Sequence, residues 1–431
     1  MRERRRSLQA GTAIAAAIGV MNVTTYGYQM LAARLLGPEP YGAFAAVMNV
    51  LIVITVIALA LQANAARRIA AAPADAHAVE DAIRRVGRQA ALGLAALSFL
   101  AAPLINSVLR LDSLMTALLV GLTAVPLTLM GYQAGVLQGE RRWQALGLVY
   151  VSAGVPRLIV GTALLLWNPS PFWAVAGVTI GSWAPVVVAA LVLRRPRDRR
   201  NHAAAVHASR DVWRETLRNS HALLAYFALA NADVVLARNV MHPQEAGLYA
   251  AGLIMTKAVL FLPQFVVVLA FPSMGQAESR RRVLVTSLGA VAVIGAVVAA
   301  GVSVLSGLAM VFVGGAQYSP VQGSLWRFAV LGAVLAMLQL VVYSVLARQA
   351  SRSVLLVWVG LLTVLALGSR TDTFASLLEV VVLTDLTLLV TLIAISLWRL
   401  RTPTPEDSVG GSVPAGTGAD RDVEGDAQLG R

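Results

Sequence analysis

The chain has 431 residues, 58% of them hydrophobic and only 13% charged, and its mean hydropathy is +0.71. A soluble domain carries about a quarter of its residues as charged side chains, so this balance excludes a soluble enzyme, a disordered chain and a fibrous protein and points to a polytopic membrane protein. The chain has no cysteine, which excludes a disulfide framework, a zinc finger and a thiol nucleophile, and its net charge of +13 is a matter of where the arginines fall.

A helix needs about 20 apolar residues to cross the hydrocarbon. Twelve stretches meet this in chain order: 10–36, 41–63, 89–109, 114–138, 144–167, 172–193, 219–238, 246–271, 283–313, 324–347, 353–369 and 374–398. The first follows Arg2, Arg4, Arg5 and Arg6. It is longer than a signal-peptide core and carries Asn22, Thr25 and Gln29, so it reads as a retained helix. Between the second and third stretches, 75–88 predicts a short amphipathic helix on the membrane surface. Val79, Ile83 and Val86 share one face, and Glu80–Arg84 and Asp81–Arg85 pair at i,i+4. The stretch 283–313 is over-long and predicts a tilted helix. The predicted organisation is a six-helix bundle over 1–193, a cytoplasmic connecting loop over 194–218, a second six-helix bundle over 219–398 and a disordered tail over 399–431.

Alternate loops hold the arginine. Twenty-eight of the 35 basic residues fall on one side of the twelve crossings, and only Arg34, Arg110, Arg238 and Arg370 fall on the other. By the positive-inside rule both termini are expected in the cytoplasm. The positive charge is then a topology device that also meets anionic lipid headgroups, and nucleic acid is not implied. Trp143 and Trp398 near one interface, with Trp167, Trp173 and Trp326 near the other, form an ordinary aromatic belt.

The two halves share a signature. Ala33-Arg34 precedes Pro38-x-x-x-Gly42-x-Phe44-Ala45-Ala46, and Ala237-Arg238 precedes Pro243-x-x-x-Gly247-x-Tyr249-Ala250-Ala251. Both copies sit at the arginine-poor turn between the first and second helix of a half. Six crossings per half make the repeats parallel, with a pseudo-two-fold axis along the membrane normal and a substrate site expected between the halves near mid-membrane.

The run AARLLGPEPYGAFAAVMNVL, with GLYAAGLIM near the middle of the chain, resembles the polysaccharide biosynthesis or oligosaccharide flippase family (Wzx type) of the multidrug/oligosaccharidyl-lipid/polysaccharide (MOP) exporter superfamily. The resemblance covers roughly residues 8–398. It implies an all-α integral membrane fold of the MATE type, two six-helix bundles forming a V around a cavity. It also implies alternating-access movement of lipid-linked sugars between leaflets of a bacterial cytoplasmic membrane, with membrane lipids, a glycan polymerase and glycosyltransferases as partners.

Ionisable groups inside a span cost about 2.5–3.5 kcal/mol on insertion scales and are functional by default. Arg157 lies about 21 Å into the fifth span at 1.5 Å per residue. Lys257, the only lysine, lies near the middle of the eighth. One cation from each half suits the phosphate or pyrophosphate of a lipid-linked sugar; the bland alternative is that each is a buried ion pair that fixes helix register, or a snorkelling side chain. Asn22, Thr25, Tyr26 and Gln29 form a polar stripe on the first helix. Gln29 aligns with Asp233, and Tyr226 lies one i+7 step from Asp233. These five polar residues, Asn22, Thr25, Tyr26, Gln29 and Tyr226, read either as a sugar-facing cavity wall or as interhelical hydrogen bonding. Asp233, Asp385 and Glu379 are candidates to carry a coupling proton or sodium ion, with a salt bridge to Arg157 or Lys257 as the alternative. Glu379 and Asp385, six residues apart, point about 120° away from each other. Pro103, Pro126, Pro156, Pro185 and Pro263 mark expected bends.

No Walker A, G-x-S-x-G or H-E-x-x-H sequence occurs, and the five histidines lack metal spacing, so no enzyme activity, cofactor or metal is expected. The favoured function is a flippase for a polyprenyl-pyrophosphate-linked oligosaccharide. The alternatives are a cation-coupled MATE-like exporter of small molecules and, from a different class, a membrane-embedded polysaccharide polymerase. The polymerase would need a catalytic domain for which the loops are too short.

Overall fold

The computed structural model describes residues 2–71, 76–194, 202–270, 280–347 and 351–399. Residues 195–201 and the expected tail from 400 onward lie outside them, as do the side chains of Pro263 and Trp398. Among the described residues the fold is all-α. The first half holds α1 (Arg2–Leu36), α2 (Pro38–Ala71), α3 (Ala76–Leu100), α4 (Ala102–Val108), α5 (Leu114–Gly139), α6 (Trp143–Trp167), α7 (Pro171–Gly181) and α8 (Trp183–Val192). The second holds α9 (His202–Val240), α10 (Pro243–Ala270), α11 (Arg280–Val304), α12 (Ser306–Val313), α13 (Leu325–Ala347), α14 (Ser351–Gly368) and α15 (Phe374–Arg399). A 3-10 segment, Ala316–Ser324, joins α12 to α13.

Short breaks separate α3 from α4, α7 from α8 and α11 from α12. Among the described residues, eight helices are long and apolar enough to cross a membrane, or nine if the pair bent by 58° at α3/α4 is one span. The breaks have local causes. Pro103 and Pro185 each sit in the first turn of the second piece of a rod, where a missing N–H costs nothing. The α11/α12 break has no proline; Gly301, Ser303, Ser306 and Gly307 surround it, a composition that lets a helix kink. Pro126 and Pro156 lie inside unbroken helices.

The two halves share one packing plan. α1 packs on α6 as α9 does on α14, α2 on α5 as α10 on α13, α3 on α5 as α11 on α13, and α6 on α7 as α14 on α15. Between the halves, α2 lies against both α9 and α10. One buried core runs through both, with Tyr28, Phe44, Tyr226, Tyr249 and Phe328 among its largest side chains. Apolar residues also face outward, with Leu100 82% and Val304 83% exposed, as lipid permits and water does not.

Two expectations are corrected. The segment 75–88 is not a separate surface helix: from Ala76 it is the first part of α3, and Ile83 and Val86 are fully buried against Leu61, Val136 and Val212. Its apolar face found protein rather than lipid. The connecting loop expected over 194–218 is helical from His202, because α9 extends well beyond its apolar part. There Asn64 Nδ2 donates to Thr216 Oγ1 (2.9 Å), Arg68 pairs with Glu215 (2.9 Å) and Trp213 Nε1 donates to Gln89 (3.0 Å). Charge that reads as a solvated loop is instead a polar seam between α9 and α2/α3.

The contact of α2 with α5 rests on small residues. A Cβ on Gly131 would lie 2.5 Å from the Ala58 carbonyl, one on Gly135 2.5 Å from the Gln62 carbonyl, and one on Gly139 2.8 Å from Ile69. Spaced four apart, the three let two backbones meet, as membrane helices without a hydrophobic driving force require. Gly135→Ala should therefore lower thermal stability in detergent, by about 1–3 kcal/mol for overpacking. Gly93→Ala, with nothing within 4 Å of the new Cβ, should leave stability equal or higher by about 0.5–1 kcal/mol. Equal loss in both would contradict a specific α2–α5 contact.

Candidate functional site

The shared signature forms the arginine-poor end of the seam between the halves. Gly37, with φ +77°, turns the chain from α1 into α2 in a conformation that glycine adopts freely. Helices α2 and α10 then begin side by side. A Cβ on Gly42 would lie 3.0 Å from the Gly247 Cα, and one on Gly247 would overlap the Pro38 carbonyl at 1.8 Å. The two signature arginines cross the seam in opposite directions. Arg34 of α1 donates to the Val311 carbonyl in the last turn of α12. Arg238 of α9 donates to the Leu109 carbonyl (3.1 Å) and the Arg110 carbonyl (2.7 Å) just past α4. Carbonyls at a helix C-terminus lack backbone partners and sit at the negative end of the dipole, so guanidinium groups suit them. Asn239 Nδ2 adds a bond to the Val108 carbonyl (2.6 Å), and Tyr318 OH one to the Ala33 carbonyl (2.8 Å). This end of the seam is closed.

Deeper along the seam lies a narrow cleft of about 10 Å³, room for about one water molecule and far below the roughly 300–1,000 Å³ of ligand pockets. Gln29 of α1, Asn49 of α2 and Lys257 of α10 supply its polar lining, with Tyr41, Phe44, Met48 and Ile254 around them. Lys257 Nζ donates to Asn49 Oδ1 (2.5 Å) and, at a long 3.5 Å, to Asn231 Oδ1 of α9. Each asparagine commits its own NH2 to the carbonyl one turn back, Asn49 to Ala45 (2.6 Å) and Asn231 to Phe227 (2.7 Å). That aims both carboxamide oxygens at the ammonium. Among the described residues no carboxylate lies within 4.0 Å of Lys257 or Arg157. The ion pairs named as the alternative are therefore not formed.

Arg157 stands elsewhere. Its Nη2 donates to Ser182 Oγ (3.5 Å) at the α7/α8 break, and its Nε is buried without a partner among the described residues. Gly181 lets α7 approach closely, since a Cβ there would lie 2.6 Å from the Arg157 Cα. Nothing in the cleft lining or the hydrogen bonds joins Arg157 to Lys257 in this conformation.

The acids divide. Asp233 is buried, with Oδ2 accepting from Tyr249 OH (2.8 Å) and Oδ1 from the Val234 amide (2.9 Å). Asp385 of α15 is fully buried, with both carboxylate oxygens unpartnered among the described residues, and it interacts electrostatically with Asp233. Glu379 is exposed on a different face of α15 and joins neither. Of the five expected cavity-wall residues, only Gln29 lines the cleft. Asn22, Thr25 and Tyr26 are half-buried along α1. Tyr226 takes the second of its two expected readings: it is 1% exposed, and its OH donates to the Leu335 carbonyl of α13 (3.1 Å), an interhelical bond. Asn49, Asn231 and Tyr249 were not singled out from the sequence. The signal for Tyr249 is the signature itself, where Phe44 in the first copy becomes a hydroxyl-bearing ring in the second. For the asparagines it is an amide inside an apolar span.

The model of the polysaccharide biosynthesis protein family matches residues 7–278. The chain belongs to that family. No curated protein matches this family member in sequence. Solved structures show the fold. An inward-facing multidrug resistance MATE family transporter of the MOP superfamily is 14% identical, with 90% of this chain and 98% of that one covered and a TM-score of 0.71. The lipid II flippase MurJ in an inward closed conformation is 12% identical, covering 92% and 89%, also at 0.71. An outward-facing MATE transporter of the superfamily gives 0.63 at 13% identity, covering 94% and 97%. This family member is thus a helical membrane protein with the fold of the MOP superfamily.

Gly247→Ala should wedge the closed seam open. An engineered Ala250→Cys, at a position now 3% exposed, should react with a polar maleimide several-fold faster when Gly247→Ala is added. An unchanged rate would show that the two glycines do not set the closure.

Proposed function

We propose that this protein is a flippase that moves a polyprenyl-pyrophosphate-linked oligosaccharide, a precursor of a cell-surface polysaccharide, across a bacterial cytoplasmic membrane by alternating access. The arginine-poor end is the outer one and both termini are cytoplasmic. The halves are 1–193 and 219–398, joined by the segment 194–218. Membrane lipids surround them, and glycosyltransferases and a glycan polymerase are the partners before and after the transport step.

The observation that carries this reading is that the two intramembrane cations, Arg157 and Lys257, have no carboxylate within 4.0 Å among the described residues. Asp233 acts on Lys257 only from beyond ion-pair distance, and a cation without a direct carboxylate partner can still receive an anion. That chemistry selects a phosphate-bearing lipid headgroup over an organic cation. In the closed conformation the cleft is too small for a headgroup. Loading therefore requires α2 and α10 to part, and release requires the Arg34 and Arg238 bonds to break. Family membership in polysaccharide biosynthesis and a fold shared with a lipid II flippase support the substrate class. Asp233 and Asp385 are the proposed carriers of a coupling proton or sodium ion: a buried carboxylate with both oxygens unpartnered, as in Asp385, holds a place for a small cation.

The test is transport in proteoliposomes of a fluorescent polyprenyl-pyrophosphate oligosaccharide, read by quencher access from one side. Arg157→Ala and Lys257→Ala should each lower the rate about ten- to a hundredfold, as expected from roughly 1.5–3 kcal/mol per charged hydrogen bond. Asp385→Asn should remove the dependence on an ion gradient. Wild-type rates in both cation variants would end the anion-site reading.

A further inference from the structure

The two asparagines on Lys257 are chemically alike but differ in which half they belong to. Asn231 is on α9, the helix before Lys257 in the same half; Asn49 is on α2, across the seam. Both are nearly fully buried, at 5% and 2% exposure, and both have their NH2 group fixed on their own helix. A bond within one half survives when the halves part. A bond across the seam does not. The Lys257–Asn49 bond, at 2.5 Å, is also the shorter of the two.

We propose that Asn231 positions the Lys257 ammonium for an anionic headgroup, whereas Asn49 ties the empty protein shut across the seam and is displaced from Lys257 when that headgroup enters. This rests on Lys257 being an anion-receiving group, as proposed above. The cleft lined by Asn49 and Lys257 has no room for a pyrophosphate while α2 and α10 are this close. A headgroup thus reaches Lys257 only in the parted state, and the tether disfavours that state. The apparent affinity for the headgroup is reduced by the fraction of molecules held closed. Removing Asn49 lifts that restraint, while removing Asn231 leaves the ammonium unplaced. A purely structural role for both residues would move both variants in the same direction.

The probe is geranylgeranyl diphosphate, titrated onto the full chain in nanodiscs of zwitterionic lipid, with geranylgeraniol as the tail-only control. Asn49→Ala should bind the diphosphate about two- to tenfold more tightly than wild type, and Asn231→Ala about two- to tenfold more weakly, the range for one hydrogen bond. Asn49→Leu, which keeps the side-chain volume, should behave as Asn49→Ala. Lys257→Gln should lose most of the diphosphate-specific binding. Weaker or unchanged binding in both Asn49 variants, with Lys257→Gln still impaired, would overturn the tether and leave the anion site standing. Wild-type binding in Lys257→Gln would overturn both. A measurement that needs no change at Asn49 uses spin labels at engineered cysteines replacing Leu59 of α2 and Ala258 of α10, both exposed, in a chain with no cysteine of its own. The labels should move apart when the diphosphate is added, and an unchanged distance at saturation would also overturn the tether.

Discussion

An ammonium group inside a membrane protein normally finds a carboxylate, because the cost of removing its water is otherwise left standing. Lys257 finds two carboxamide oxygens instead. Carboxamides solvate the charge without cancelling it. The nearest acid on the same helix pair, Asp233, has both oxygens taken by Tyr249 and its own backbone neighbour. The proposed mechanism depends on that arrangement: an ammonium held by amides and not by a direct ion pair, at the seam between two halves, in a space that is polar but shut.

The repeat explains how the seam can be shut at one end and remain mechanically separable. Each signature supplies an arginine that caps a broken helix of the opposite half, α12 for Arg34 and α4 for Arg238. Each also supplies a glycine that lets α2 and α10 touch. Hydrogen bonds to helix ends and bare backbone contact are exchangeable with water at low cost, unlike an interdigitated apolar core. The opposite end is held differently, by Arg67 and Arg68 on Glu215 and by Asn64 on Thr216. Copies of one sequence motif thus meet at one end of the molecule, while unrelated charged residues meet at the other.

Much of this was legible in the sequence. The helical, membrane-spanning class of the fold, the signature at the α1–α2 and α9–α10 turns and the position of Arg157 and Lys257 within apolar helices follow from hydropathy, arginine placement and the rarity of charge inside spans. The parts that were not legible have a common cause: they depend on what lies across from a residue. Val79, Ile83 and Val86 make a face that fits either lipid or protein, and the packing of α2, α5 and α9 decides it. Residues 202–218 read as a charged loop until Glu215 and Thr216 are seen against α2. Tyr226 shares a helical face with Asp233 yet bonds to α13. Asn49 carries no periodic or motif signal, and its role emerges only from α10. The α11/α12 break lacks the proline that marked its counterpart.

The charge at the seam also separates the competing transport readings. A site for organic cations would present carboxylates to the cleft, and this cleft presents Lys257, Asn49 and Gln29. Because Lys257 is the only lysine in the chain, isotope-labelled lysine places a single side-chain nitrogen signal in a solid-state magnetic resonance spectrum. The most direct measurement is dipolar dephasing of that nitrogen by phosphorus in membranes of phosphorus-free lipid saturated with a polyprenyl diphosphate. The account predicts strong dephasing, which the Lys257 ammonium can give only in direct contact with the diphosphate. A nitrogen signal that is unaffected by phosphorus while the probe is bound would contradict it.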